Sequence, residues 1–500
     1  MASELSTIVC CAALAIVLRW GVSTFPYSGQ GKPPRYGDFE AHRHWMEITT
    51  NIPMSRWYYN SSLNDLDYWG IDYPPLSAWH SYGLGRAFKI ILPEAVKIKT
   101  SRGYESSLLT FLMRMSVSLS DLLVPALILF HVMFFNPEKK LAPWVCIMCS
   151  LAAPPFIMVD YGHFQYNCVS LGLTVLAIVT LLSNQFSLSA ILFTLAIHHK
   201  QMSLYHSLTF FAYMVGTLVM KRIDVLTTFR VGTVIMSTVG LMWLPFGDYW
   251  TFVLKRIFPL KRGVFEDKVG TFWYVFDRFV PVKGVYPDQI VAEFCGISTI
   301  VLLIPATLNL FMKASTVEKG QQVTVLRKTF LLHLFNSSIV CFLFSYHVHE
   351  KTIMLPGLAA VLLLPFYPFA SAWFVVVSSL SLYPLFLEEG SHAALLLTTA
   401  FFILVAQQGK IFDSSKSALL KLAFIGSIGG YIALILGLHF VTPPQNLPHL
   451  FQAGIAIYSF LHFSLFALYC HYLQFSLKYS TDEQKPTRKS VGSGSAKKKL

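Results

Sequence analysis

The sequence predicts an all-α, polytopic membrane protein, and three observations carry that reading. Charged residues make up 13% of the 500-residue chain against 54% hydrophobic ones, when soluble domains carry about 25% charged residues. Mean hydropathy is +0.54. The apolar residues gather into runs close to the ~20 residues that cross a bilayer, too many for a soluble core to hide. A soluble enzyme is therefore excluded. The net charge of +13 falls largely in short loops and the tail, which fits membrane topology rather than nucleic-acid binding.

Taken in order, about fourteen spans are expected, near residues 5–25, 108–135, 142–159, 167–183, 186–198, 204–220, 229–246, 290–312, 329–345, 352–367, 370–387, 393–406, 418–440 and 451–473. The first lacks the basic start and small-residue cleavage site of a signal peptide and reads as retained. Pro154 and Pro155 interrupt the third. Segment 186–198 is shorter than the roughly 17 residues of a straight span. Arg114 and Asp121, two turns apart in the second, are expected to pair inward, because charge in a bilayer is costly. Two long polar stretches separate spans. Residues 26–107 are rich in Trp, Tyr, Pro, Asp and His, and residues 247–289 mix both charges with aromatics. Residues 1–478 form the membrane domain. Residues 479–500 read as a disordered Ser/Gly/Lys tail. The eight cysteines are scattered, and Cys146 with Cys149 reads as one turn of an apolar helix rather than a redox or zinc pair.

Alternation gives the orientation. With a cytoplasmic N-terminus, one set of short loops holds Lys139, Lys140, Lys221, Arg222, Lys313, Lys319, Arg327, Lys328, Lys410 and Lys416, and the other only Lys200 and Lys351. The positive-inside rule favours this arrangement, and an even span count returns the tail to the cytoplasm. The end, Lys497-Lys498-Lys499-Leu500, is similar to a dilysine retrieval signal of the endoplasmic reticulum, a generic basic tail being the alternative. The sequon Asn60-Ser61-Ser62, if used, places the first long loop in the lumen. A second sequon, at Asn336, lies inside a span.

Ionisable and aromatic residues cluster on the side expected to be luminal, at residues 36–45, 69–76, 160–167, 198–201, 256–268 and 347–351. Aromatic faces beside carboxylates and amides suit sugar rings and their hydroxyls. Basic residues nearby suit a phosphate.

These clusters carry a family resemblance. The segments GDFEAHRHW, NDLDYWGIDYPPLSAWHS, TSRGYES, DYGHFQYN, HHKQM, FPLKRGVFEDKV and HVHEK, with a fainter TPPQNLPHLF at 442–451, resemble the dolichyl-phosphate-glucose-dependent glucosyltransferases of the endoplasmic reticulum. Those are a branch of the GT-C membrane glycosyltransferases. The resemblance implies a GT-C fold and an inverting transfer of glucose from dolichyl phosphate β-glucose, in α-1,3 linkage, to a terminal mannose of the dolichyl-pyrophosphate-linked oligosaccharide. The flanks of the DYPP element favour addition of the first glucose to the nine-mannose acceptor over addition of the second.

Inversion in one displacement needs a base opposite the departing phosphate. The resemblance draws that carboxylate from the first luminal loop, which assigns Asp38 as general base with Glu40 as runner-up. An N-cap role for Asp38 is the alternative. If 38–45 is helical, Asp38 and His42 share a face. His349 and Lys351 are implied contacts of the donor phosphate, against an interfacial helix end. Arg262 could serve the same phosphate or the acceptor's pyrophosphate. Asp72 and Tyr73, beside a stiff Pro-Pro turn, are read as holding the loop or the acceptor. His163 and Gln165 suit acceptor hydroxyls, with aromatic-belt packing as the competing role.

No cofactor is expected. Asp65-Leu66-Asp67 spells D-x-D, but such a triplet arises by chance and a dolichyl phosphate donor has no pyrophosphate demanding a cation. His347, His349 and Glu350 fix no fourth ligand. The resemblance therefore implies metal independence. A lipid-linked sugar transporter is the reading from another class. Transporters place ionisable groups at the midplane and often show paired repeats, whereas these clusters sit on one side and no repeat is visible.

Overall fold

The computed structural model describes residues 2–34, 36–134, 141–220, 225–258, 268–316 and 321–478. Every regular element among them is helical. Eight helical segments are long and apolar enough to cross a membrane: Glu4–Val22, Ser107–Met133, Val225–Ile257, Asp288–Thr316, Val323–Phe344, Pro368–Glu389, Ala418–Phe440 and Leu450–Ser476. The pair Pro143–Leu151 and Pro154–Phe164, bent by 40°, makes a ninth if counted as one span. The bend falls at Pro154 and Pro155, which lack the N–H groups that would continue the ladder.

The other expected spans also fall on helices, but shorter ones: Asn167–Leu182, Phe186–His199 and His392–Gln408, with Ser207–Val215 and Met354–Leu363. Length alone thus supports eight or nine spans rather than about fourteen. The reason is position in the bundle. Every residue of Met354–Leu363 is buried, and a helix enclosed by protein need not match the hydrocarbon thickness, because neighbours satisfy its ends. Val225–Ile257, by contrast, has 6% of its apolar window buried and presents its sides outward.

Asp121 does not pair with Arg114. The second span breaks at Asp121, between helices Ser107–Ser120 and Leu123–Met133. There the Asp121 carboxylate accepts from Arg19 Nε at 3.1 Å and the Tyr161 hydroxyl at 2.8 Å. It also accepts from the backbone N–H of Leu123 at 2.9 Å. Arg114 donates instead to the carbonyls of Tyr161 and Gly162. The break turns the acid toward a helix end whose free N–H groups attract it.

The polar stretch 26–107 is folded. Its helices Asp38–Asn51 and Pro75–Ile91 cross at Gly85, where a Cβ would lie 2.2 Å from Thr50 Oγ1 and 2.8 Å from the Met46 carbonyl. Trp45, Ile48, Ile52, Trp57, Tyr58, Ile71 and Ala78 form an apolar cluster with Phe246, Val253 and Ile257. The two long polar stretches therefore share one core. Arg256 reinforces the contact by donating to the Gly70 carbonyl at 2.8 Å. Arg262 and the tail 479–500 lie outside the described residues.

Candidate active site

Asp38 is the first residue of its helix. Gly37, not Asp38, is the N-cap, so the carboxylate is released from the capping alternative. Gly37 is required by a close approach: a Cβ there would stand 2.5 Å from Ser28 Oγ. Ser28 in turn accepts from the Asp38 N–H at 3.3 Å and donates its own N–H to the His163 carbonyl at 3.0 Å. One serine thus ties the start of the Asp38 helix to the turn that carries His163.

Three donors converge on Asp38 Oδ2: His163 Nε2 at 2.8 Å, Lys351 Nζ at 2.9 Å, and Gln165 Nε2. None of them engages Oδ1. The other ring nitrogen of His163, Nδ1, meets Glu389 Oε1. A carboxylate oxygen at each nitrogen favours the imidazolium, in which both nitrogens donate, against the Lys351 ammonium that also lies 3.0 Å from Nε2. The Asp38 side chain keeps 24% exposure while that of His163 keeps 3%, so the carboxylate is the reachable member of the group.

Burial by itself would raise the Asp38 carboxyl, but Lys351 and His163 outweigh it and hold the group well below the usual carboxylate range. Lys351 responds in the opposite sense. Burial would lower it, and Asp38 with Glu350 and Glu389 raises it. The pair is therefore fully charged at neutral pH.

Gln165 links this cluster to a second cation. Its Oε1 accepts from Lys200 Nζ at 2.7 Å, and Lys200 also donates to Asn167 Oδ1 at 2.5 Å. The ammonium sits 4.5 Å from the centroid of the Tyr73 ring. Burial, then Lys351, pushes Lys200 down to about 7, against the pull of Asp160, Asp38 and Asp72. His42 lies one turn beyond Asp38, its ring 4.7 Å from that of Trp45 and 5.0 Å from that of Tyr166. Burial drives it down to about 3, so it is a neutral aromatic wall rather than a proton carrier.

The remaining sequence candidates separate. Glu40, the runner-up base, is committed elsewhere. Its two oxygens take Arg43 Nε and Nη2, both at 2.7 Å, and Oε1 also accepts from the Tyr68 hydroxyl at 2.9 Å and the Gly103 N–H at 3.1 Å. Arg43 continues to Glu47, the Ala95 carbonyl and Ser101. Helix geometry explains the difference: Glu40 faces its own i+3 arginine, two residues round from Asp38. Asp72 and Tyr73 sit in a pinned loop. The Tyr73 carbonyl accepts from the Tyr58 hydroxyl at 2.7 Å and the Asp72 carbonyl from Gln201 Nε2 at 3.3 Å. His349 precedes the turn Glu350–Ile353 that presents Lys351, its ring 5.1 Å from that of His347. Arg262 is not among the described residues. His163 and Gln165, expected to meet acceptor hydroxyls, direct their polar ends at Asp38.

Asn60 is exposed, whereas Asn336 is fully buried and donates to Gln474 Oε1 at 2.8 Å. In the D-x-D triplet, Asp65 caps its own turn by accepting from the Asp67 N–H and pairs with Arg102 at 3.3 Å. No group of three or more potential metal ligands is present among the described residues.

Glu389 escaped the sequence reading. Its signal was a Glu388-Glu389 doublet closing an apolar run, at a helix C-terminus where acids are disfavoured. Lys200 was legible there as part of the HHKQM cluster, but without a role of its own.

Residues 14–469 match the model of the ALG6, ALG8 glycosyltransferase family. A Pongo abelii protein named dolichyl pyrophosphate Man9GlcNAc2 alpha-1,3-glucosyltransferase is 38% identical over 492 residues, 91% of this chain and 94% of the relative. An Arabidopsis thaliana protein named as a probable enzyme of the same description is 35% identical over 504 residues, 96% of this chain and 92% of the relative. Among solved structures, ArnT from Cupriavidus metallidurans bound to undecaprenyl phosphate aligns with a TM-score of 0.34 at 13% identity, covering 92% of this chain and 88% of that one. With its many apolar helices and a match over nine-tenths of its length, the chain is a multi-pass membrane protein that belongs to the ALG6, ALG8 glycosyltransferase family.

Proposed function

We propose that this protein is an inverting glucosyltransferase that moves glucose from dolichyl phosphate β-glucose to the terminal mannose of the nine-mannose, dolichyl-pyrophosphate-linked oligosaccharide, forming the first α-1,3 glucose linkage of the N-glycan precursor. The observation that carries the mechanism is the Asp38 carboxylate, ionised and reachable, with three donors confined to one of its oxygens. The names of the relatives supply the acceptor.

In the proposed step the mannose hydroxyl gives its proton to Asp38 while its oxygen bonds to C1 of glucose. The C1–O bond to phosphate breaks on the opposite face, and dolichyl phosphate leaves with the electron pair. Two carboxylates are not required, since phosphate leaves without a general acid. Lys351, already beside Asp38, is placed to share its charge with the departing phosphate, with His349 adjacent and Arg262 from the second stretch. This chemistry needs no metal ion, because the cations that answer the developing charge are side chains.

The same reading places the protein in the endoplasmic reticulum membrane, the Asp38 site in the lumen and both termini in the cytoplasm. Its support is the loop charge asymmetry, the terminal lysines and the exposed Asn60 sequon. The test is transfer by the purified full-length chain from glucosyl-phosphodolichol to lipid-linked oligosaccharides bearing nine mannoses, with and without one glucose. Turnover of the unglucosylated acceptor is expected. Preference for the glucosylated one would move the assignment to the second-glucose enzyme, and lipid translocation without transfer would move it to a transporter.

A further inference from the structure

Glu389 stands against two local preferences at once. It ends the helix Tyr383–Glu389, closed by Gly390 in the left-handed region at φ +79°, where the helix dipole repels an acid. Its side chain is only 7% exposed, and an unpaired buried carboxylate is costly. Its neighbour Glu388 shows the ordinary solution: its side chain is 57% exposed and pairs with Lys268 at 2.7 Å. Glu389 is turned inward, and its Oε1 takes His163 Nδ1. A residue that breaks local rules in this way marks a site where function sets the requirement.

The consequence runs through the imidazole. A carboxylate on Nδ1 fixes the ring plane and, with Asp38 at the other nitrogen, stabilises the imidazolium, in which Nε2 is also a donor. Nε2 donates to Asp38 Oδ2, the same atom taken by Gln165 and Lys351. We infer that Glu389 is a positioning residue for glucosyl transfer: acting through His163, it holds Asp38 by Oδ2 so that Oδ1 takes the proton of the acceptor hydroxyl. This rests on the reading of Asp38 as the base. The charged groups around His163 are Asp38, Glu389 and Lys351, with Arg114 of the Ser107–Ser120 helix acting on Glu389 from beyond it.

The test uses the full-length protein in detergent with the donor and nine-mannose acceptor named above. Glu389→Gln should lower kcat by about 10- to 100-fold, the size of effect seen when a carboxylate orienting a metal-ligating histidine is lost, with KM for both substrates little changed. Glu389→Asp should recover part of that loss, and Glu388→Gln should keep wild-type kcat. The double variant His163→Asn with Glu389→Gln should be no slower than His163→Asn alone, because the two act as one unit. Independently of turnover, 15N NMR of histidine-labelled protein should show both His163 nitrogens protonated, with one proton lost in Glu389→Gln. Wild-type kcat in a folded Glu389→Gln protein, or a double variant whose loss is the product of the two singles, would overturn the inference. Unchanged His163 nitrogen signals would do the same. A wild-type protein that transfers no glucose would instead reject the proposed function, and the nitrogen signals would still decide the role of Glu389.

Discussion

Lys351 Nζ lies 2.9 Å from Asp38 Oδ2 across 313 residues of chain. The contact joins the first long polar stretch to the HVHEK segment, and it favours the charged form of the carboxylate proposed as the base. Asp38→Asn removes the proton acceptor while keeping the shape. Glucosyl transfer should fall by about 10²–10⁴-fold, the usual contribution of a general base, with the protein still folded. Wild-type turnover in Asp38→Asn would reject the base.

The same contact sets a pH dependence. As the proposed base Asp38 works ionised, and its carboxyl is held well below the usual range, so activity governed by this group should be lost only as pH falls through that depressed value. Lys351→Met removes the largest opposing charge and lets burial raise the carboxyl. The acid limb of kcat/KM for the acceptor, at saturating donor, should therefore move to higher pH. A limb that stays in place would separate Lys351 from Asp38.

Glu40 gives the contrasting outcome. Its ion pair with Arg43 is buried, with side-chain exposures of 4% and 0%. Glu40→Ala leaves Arg43 with Glu47 as its remaining carboxylate and should cost less than the ~3–5 kcal/mol of a fully broken buried pair, read as a lower melting temperature in detergent. Glu40→Gln should retain most turnover per folded molecule. A folded but inactive Glu40→Gln protein would return Glu40 to the chemistry.

Metal dependence is tested by combining a chelator with Asp67→Ala. Asp67 is exposed, and the triplet's visible work is a cap and an ion pair at Asp65. Transfer rates should match wild type in the variant and be indifferent to chelator in both proteins. Loss in either arm, restored by added divalent cation, would establish a metal role.

Topology is read from the sequons. Asn60 is exposed and Asn336 buried. Expressed in cells, the protein should carry an endoglycosidase-sensitive glycan that Asn60→Gln removes and Asn336→Gln leaves in place. An unmodified Asn60 in a protein that reaches the membrane would count against a luminal first stretch.

Hydropathy is a local property, and it was enough to locate the apolar helices among the described residues and the two polar stretches between them, while the helix that begins at Asp38 was only a condition of the reading. The residue types on one side of the expected spans also indicated sugar and phosphate chemistry before any fold was known. Span number was less legible, because length thresholds assume a lipid-facing helix and Met354–Leu363 is enclosed by protein. Partnership was not legible at all. Asp38 and Glu40 stand two residues apart with the same chemistry, yet one faces Arg43 on its own helix and the other faces Lys351 and His163 from distant segments. Asp121 chose Arg19 over Arg114 because the helix breaks beneath it. Glu389 drew its meaning only from the imidazole opposite. Ion pairs and hydrogen bonds depend on distances of a few ångströms between segments, and those distances are set by how the helices pack.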